Sequence, residues 1–189
     1  MRKYFRKLVG ERVYLSPQNL EDAELYTKWI NDLKVTDWIN RSSQLTSKER
    51  EITWMGDSDK NNEYNFTMCR LVDDVPMGCL DLRCINTVSR TATVGIFIGD
   101  EENRNSGYGT EALGILVEFG FNYLNLNNIM LEVNLCNERA QKSYEKIGFK
   151  EFGRRHQSIF VCGEYYDSVY MEILRKDYKG DWIKNSPFK

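Results

Sequence analysis

Apolar and polar residues alternate along this chain with two different periods, and the points where one period gives way to the other mark out its elements. RVYLSP, from Arg12 to Pro17, predicts a short strand that proline stops. In NLEDAELYTKWIND, apolar residues recur at Leu25 and Trp29 and at Tyr26 and Ile30, which is a helical spacing. TSKERE holds a capping box, Thr46 with Glu49 three residues on, and predicts a second helix through Ile52 and Met55. YNFTMCRL (Tyr64 to Leu71) and GCLDLRC alternate as strands do, and the turn residues of VDDVP between them predict a hairpin. TATVGIFI (Thr91 to Ile98) predicts a third strand beside it.

A long apolar helix is expected from Thr110 to Leu124, with Leu113, Leu116, Val117, Phe121 and Leu124 on one broad face. The strand-like NIMLEVNL follows, and then a short helix in NERAQKSYEKIGF, with Asn137 as its N-cap and Gly148 as its stop. RRHQSIFVCGEYYDSVYMEIL reads as two long strands around a tight turn at Cys162 to Glu164. No repeat or linker interrupts the series, so the expectation is one α/β domain, residues 8–178.

Composition narrows the function more than the fold. A chain of 189 residues with 41% hydrophobic residues can bury a substantial core. Lys and Arg number 26 against 28 Asp and Glu, a formal charge of -2, so nothing drives counterion-releasing contact with nucleic acid. The basic start, MRKYFRKLVGERVYL, runs into no apolar stretch of signal-peptide length, and no segment approaches the ~18 apolar residues of a membrane span. A cytoplasmic protein without a membrane partner is therefore expected. Five cysteines make an odd count without a CxxC pair. Cys69, Cys79, Cys84 and Cys162 fall in strand-like segments, where a reduced thiol acts as a small half-buried hydrophobe. His156 is the only histidine and reads as a surface residue, so no metal site is expected.

EENRNSGYGTEALGILVEFGF sets Gly107 and Gly109 at the mouth of the long helix, where glycine gives up backbone entropy without adding packing. A helix N-terminus offers unpaired N–H groups and partial positive charge, and glycine lets a phosphate come close to them. A Walker loop needs Lys and then Ser or Thr after its second glycine, whereas Thr110 and Glu111 follow Gly109. GYGTEA does satisfy G-x-G-x-x-A, but Asp100 to Ser106 separate it from the preceding strand, and Glu132 lies inside the next strand rather than at its end. An ordinary loop-to-helix junction explains the glycines equally well when they are taken alone.

RNSGYG, starting at Arg104, fits R-x-x-G-x-G and resembles the pyrophosphate loop of the GCN5-related N-acetyltransferase (GNAT) superfamily. NERAQKSYEKIGFKEFG looks like the second signature of its branch of ribosomal-protein N-terminal and spermidine acetyltransferases, and VCGEYYDSVYMEIL is similar to that branch's closing hairpin. The likeness spans nearly the whole domain. It implies a single-domain fold with a mixed, mostly antiparallel sheet flanked by helices and a V-shaped split between two central strands. It also implies acetyl-CoA as co-substrate, with amides of Arg104, Asn105, Ser106, Gly107, Tyr108, Gly109 and Thr110 around the pyrophosphate. Backbone groups of Ile98 and Gly99 would meet the pantetheine arm, with an N–H near Ile98 facing the thioester oxygen, and Asn137 and Ala140 would line the other side.

The same resemblance makes Tyr144 the general acid toward the departing thiolate, a role its inward helix position and its reference pKa of ~10 allow. The alternative is a core aromatic. An amine acceptor must lose a proton before it attacks the thioester. Many relatives carry a glutamate for this where the present chain has Thr93, which leaves Glu132, Asp100, Glu101 or a water chain as candidates. Trp29, Trp38 and Trp54 with Asp32, Asp37 and Glu51 fall in the region that forms the acceptor site in this superfamily, and they would suit an ammonium group, although ordinary helix packing accounts for them too. Polyamine, amino sugar and protein N-terminus all stay open as acceptors, a homodimer is allowed, and a coenzyme-binding module without turnover is the competing reading.

Overall fold

A computed structural model describes residues 3–56 and 63–188. Gly10 turns the chain sharply between strands β1 (Leu8–Val9) and β2 (Val13–Pro17), its N–H donating to the Val13 carbonyl at 2.9 Å. Helix α1 (Ala23–Ile30) buries Tyr26, Trp29 and Ile30 as its period requires, and the four-residue α2 (Leu33–Thr36) follows, its N–H at Lys34 capped by Asp32. Helix α3 (Lys48–Gly56) starts one residue later than the expected capping box places it. Ser47 is the residue that caps: its Oγ accepts from the Arg50 N–H at 3.2 Å, and Glu51 N–H closes on its carbonyl.

Strands β3 (Tyr64–Arg70), β4 (Pro76–Asn86) and β5 (Thr91–Ile98) form the expected antiparallel meander. Helix α4 (Tyr108–Asn122), strand β6 (Asn128–Asn134) and helix α5 (Glu138–Ile147) come next. The closing hairpin is β7 (Lys150–Val161) and β8 (Glu164–Leu174), turned by Cys162 and Gly163 at φ 52° and 84°, the left-handed pair that a two-residue hairpin loop demands. The sheet order is β1-β2-β3-β4-β5-β6-β8-β7, and every pairing is antiparallel except β5 with β6.

That exception shapes the molecule. β5 and β6 pair only at Thr91, Ala92 and Thr93 against Asn128, Ile129 and Met130, and beyond these residues they diverge. Gly99 N–H donates to the Met77 carbonyl at 2.9 Å on the β4 side, so strand alternation turns the N–H and C=O of Ile98 and Ile96 away from β4 and into the gap. The split between two central strands is thus present.

One face of the sheet packs against α4, whose residues are buried at every position from Glu111 to Phe121 rather than along one face. The cover on its outer side is the segment after β8: Tyr178 and Trp182 pack against the main core and Ile183 is buried in it, so the packed body continues past residue 178. Glu118, wholly buried, accepts from the Tyr178 hydroxyl at 3.0 Å and from the main-chain N–H of Trp182 and Ile183 at 2.5 and 3.3 Å. Lys184 N–H then donates to the Val9 carbonyl at 2.7 Å, joining the segment to β1. The other sheet face carries α1 and α3 over Cys79 and Phe97. Cys69 and Cys79 are buried as small hydrophobes, but Cys84 and Cys162 are exposed, the first at a register shift near the end of β4 and the second in the hairpin turn.

A Cβ on Gly114 would lie 2.5 Å from the Trp182 ring. Gly114→Ala is therefore expected to destabilise the protein by ~1–3 kcal/mol through overpacking. In a Trp182→Ala background the same change should instead stabilise by up to ~1 kcal/mol, because only helix propensity remains. Urea unfolding of the four variants checks the change of sign.

Candidate active site

The gap between β5 and β6 opens into a cleft of about 920 Å³. Ile96, Phe97 and Ile98 of β5 line it, with Lys34, Val35, Trp38 and Ile39 at one end and the start of α4 and one side of α5 along its length. Of the residues named from the sequence, Ile98, Arg104, Asn105, Gly107, Gly109, Thr110, Asn137, Ala140 and Tyr144 are brought together on this cleft. Ser106, Tyr108, Gly99 and Glu132 are not on its lining.

Local physics explains the loop. Asn105 and Gly107 both hold left-handed backbone conformations, φ 62° and 81°, and Gly107 is the N-cap of α4. The first intrahelical bond runs from Glu111 N–H to the Gly107 carbonyl at 3.1 Å, so the N–H groups of Tyr108, Gly109 and Thr110 precede the ladder and have no partner within the helix. Gly109 matters for packing instead, since a Cβ there would sit 3.2 Å from Cδ1 of Ile98 and its absence lets α4 close onto β5. Tyr108 turns its ring inward against the core.

Arg104 points back toward the strand end. Its guanidinium donates to the carbonyls of Ile98 (3.3 Å), Gly99 (2.7 Å) and Lys34 (3.1 Å), which ties the loop, β5 and α2 together. Gly99 is buried beneath the indole of Trp29, where any Cβ would fall inside the ring. Trp29 is accordingly a core residue; Asp32 is spent on its cap, Glu51 is buried, and only Trp38 among the tryptophans reaches the cleft.

Helix α5 forms the opposite wall. Asn137 Oδ1 accepts from Ala140 N–H at 3.2 Å, the expected cap, and Gly148 stops the helix at φ 113°. A short hydrogen bond between Thr110 Oγ1 and Ser143 Oγ ties this wall to the first turn of α4. Tyr144 projects onto the cleft beside Phe149, and burial pushes its phenol up to about 12, with Arg139 opposing in part. Its hydroxyl makes no hydrogen bond among the described residues.

Three cations on α5, Arg139, Lys142 and Lys146, line the same cleft with Lys34 and Arg104, and Arg139 reaches Asn105 Oδ1 at 3.2 Å. The near-zero net charge concealed them; their spacing of three and four residues along NERAQKSYEKI was the signal available in the sequence. Asp81 was also missed. It sits on β4 opposite Gly95 of β5, paired with Arg83 at 2.9 Å, and burial raises its pKa while Arg83 and Arg41 oppose the shift. A Cβ on Gly95 would lie 2.6 Å from Arg83 Nη1 and 2.8 Å from Asp81 Oδ2, so this pair lies across the strand where the gap begins. Glu132 is exposed on β6, and the β5–β6 register carried two residues further would set it opposite Gly95. Both carboxylates belong to the face that carries α1 and α3.

Residues 12–150 match the family model described as an acetyltransferase (GNAT) domain. The chain is 30% identical over 164 residues to YdaF of Bacillus subtilis, named as a putative ribosomal N-acetyltransferase, covering 87% of this chain and 77% of that protein. It is 33% identical over 106 residues, 56% of each chain, to spermidine N(1)-acetyltransferase of Escherichia coli K12. Among solved structures, spermidine N-acetyltransferase from Vibrio cholerae in complex with CoA and spermine has the same fold, with a TM-score of 0.82 at 24% identity over 88% of this chain and 98% of that one.

The chain belongs to the GNAT acetyltransferase family. As a GNAT N-acetyltransferase it takes acetyl-CoA as co-substrate and transfers the acetyl group to an amine. Its cleft fits that donor on independent grounds: unpaired amides at a helix N-terminus, a cationic wall for phosphates, and the unpaired edge of β5 for an amide-bearing arm.

Gly107→Val forces a β-branched residue into a left-handed conformation at the loop's tightest point. Its dissociation constant for acetyl-CoA should rise ~10-fold or more. Calorimetric titration measures it, and unchanged affinity would remove the loop from the coenzyme site.

Proposed function

We propose that acetyl-CoA lies in this cleft with its pyrophosphate on the amides of residues 104–110, its phosphates facing Arg139, Lys142 and Lys146, and its arm along Ile96 and Ile98. The group brings an activated thioester; the chain does the rest. Its N–H at Ile98, turned into the gap, is the donor for the thioester oxygen, and such a preorganised donor is typically worth ~3 kcal/mol of barrier. Asn137 and Ala140 hold the arm from the α5 side.

Tyr144 is the general acid in this reading. A phenol held protonated up to about pH 12 by burial keeps its proton for a departing thiolate throughout the neutral range. The place of Tyr144 on the cleft lining, with no hydrogen bond to its phenol among the described residues, is the observation that carries the assignment. The acceptor amine enters from the face of α1 and α3, where Asp81 and Glu132 flank the opening of the gap. Asp81 receives the ammonium proton; burial raises its pKa, which suits a carboxylate to that role.

The acceptor is a primary amine, and the relatives named above make spermidine and ribosomal-protein N-termini the first to test, with amino sugars beside them. A cytoplasmic homodimer completes the reading, with β7 as the free sheet edge, exposing Phe152 and Phe160 to a second copy. Sedimentation of the purified chain tests it.

Release of free thiol, followed across that panel, tests the chemistry. Tyr144→Phe should lower kcat ~100-fold while acetyl-CoA affinity is retained, and the parent enzyme should show no alkaline limb below pH ~11 from this group. Asp81→Asn should cost at least ~10-fold in kcat/KM at neutral pH, while Glu132→Gln stays within about twofold. The reverse pair of outcomes would assign proton acceptance to Glu132.

A further inference from the structure

Glu111 lies in the first turn of α4 and is almost wholly buried, yet no coenzyme chemistry requires it. Its Oε1 accepts three successive main-chain N–H groups from the β1–β2 turn: Glu11 at 2.7 Å, Arg12 at 2.8 Å and Val13 at 3.3 Å. Gly10 makes this possible, since a Cβ there would lie 2.6 Å from the same oxygen. Glu111 Oε2 takes the Arg12 Nε at 3.0 Å.

Arg12 continues the chain of contacts into the loop. Its Nη1 donates to the Ser106 carbonyl at 2.9 Å, its guanidinium lies over the Tyr108 ring at 5.2 Å, and its Nη2 would be 3.1 Å from a Cβ on Gly107. A second cleft of about 530 Å³ is lined by Arg12, Glu111, Gly107, Thr110 and Trp182 among others, and only Gly107 and Thr110 belong to both clefts. The loop is therefore the wall between the two spaces, and Arg12 stands behind it.

We propose that Arg12, anchored by Glu111, is a positioning residue that holds the 104–110 loop in its coenzyme-binding shape before acetyl-CoA arrives. The inference rests on the reading of that loop as the coenzyme site. A loop already in shape loses less conformational freedom on binding, and the gain appears as affinity. Arg is required because one planar fork serves a carboxylate and a carbonyl together, which a lysine ammonium cannot reproduce in the same geometry. The guanidinium remains half exposed, so its replacement does not open the core.

The test compares Arg12→Gln, Arg12→Lys and Gly107→Val by calorimetric titration with acetyl-CoA, thermal melting, and amide hydrogen exchange of residues 105–110 in the free protein. Expected for both Arg12 variants are an unchanged melting temperature, faster loop exchange, and a ~10-fold weaker affinity, seen in turnover as a raised KM for acetyl-CoA with kcat retained. Full rescue by lysine would overturn the inference by making bare charge sufficient. So would unchanged affinity, or a parallel fall of melting temperature, kcat and affinity. If Gly107→Val leaves affinity intact, the coenzyme reading of the loop fails first. If that variant loses binding while Arg12→Gln keeps it, the positioning role alone is rejected.

Discussion

Everything at this site depends on how briefly β5 and β6 pair. After Thr93 and Met130 the two strands part, and, apart from the Ile98 carbonyl that Arg104 takes, the groups that a sheet would normally consume are left facing a gap. An unpaired strand edge inside a protein is costly unless something completes it. The amide-bearing arm of the family's co-substrate has the donors and acceptors to do so. The same parting sets the end of β5 beside the N-terminus of α4, so strand edge and helix end open onto one cleft.

Holding that helix end open creates a second problem. A loop with two left-handed residues and free amides has little to stabilise it from within. The fold supports it from three directions. Arg104 bonds the carbonyls that end β5, Thr110 reaches Ser143 on α5, and Arg12 bonds the Ser106 carbonyl from behind. None of these contacts uses the N–H groups of Tyr108, Gly109 or Thr110.

Helix α4 shows why two carboxylates can stand in a stretch buried throughout. Glu111 and Glu118 lie seven residues apart on one side, with Gly114 between them. Neither is left as a bare charge: main-chain amides of the β1–β2 turn reach the first, and those of the segment after Tyr178 reach the second. Glu111 also sits where the helix dipole favours an anion. The two terminal segments of the described chain thus meet on the helix that carries the loop, and the Trp182 ring fills the space over Gly114.

Local sequence by itself determined the elements and the loop. Strand and helix periods, the cap at Asn137, the stop at Gly148 and the glycine pair at 107 and 109 each act over a few residues, and a few residues suffice to read them. The capping of α3 by Ser47 rather than Thr46 shows the limit of such reading, since neighbouring hydroxyls compete for one helix end. Only tertiary structure decided which side chains converge. Trp29 was spent beneath Gly99, Asp81 was brought to the gap by its register with Gly95, and Arg12 reached Ser106 across 94 residues of sequence. Local patterns fix backbone conformation, whereas burial and charge depend on what packs against a residue, and that is set by contacts between segments far apart in the chain.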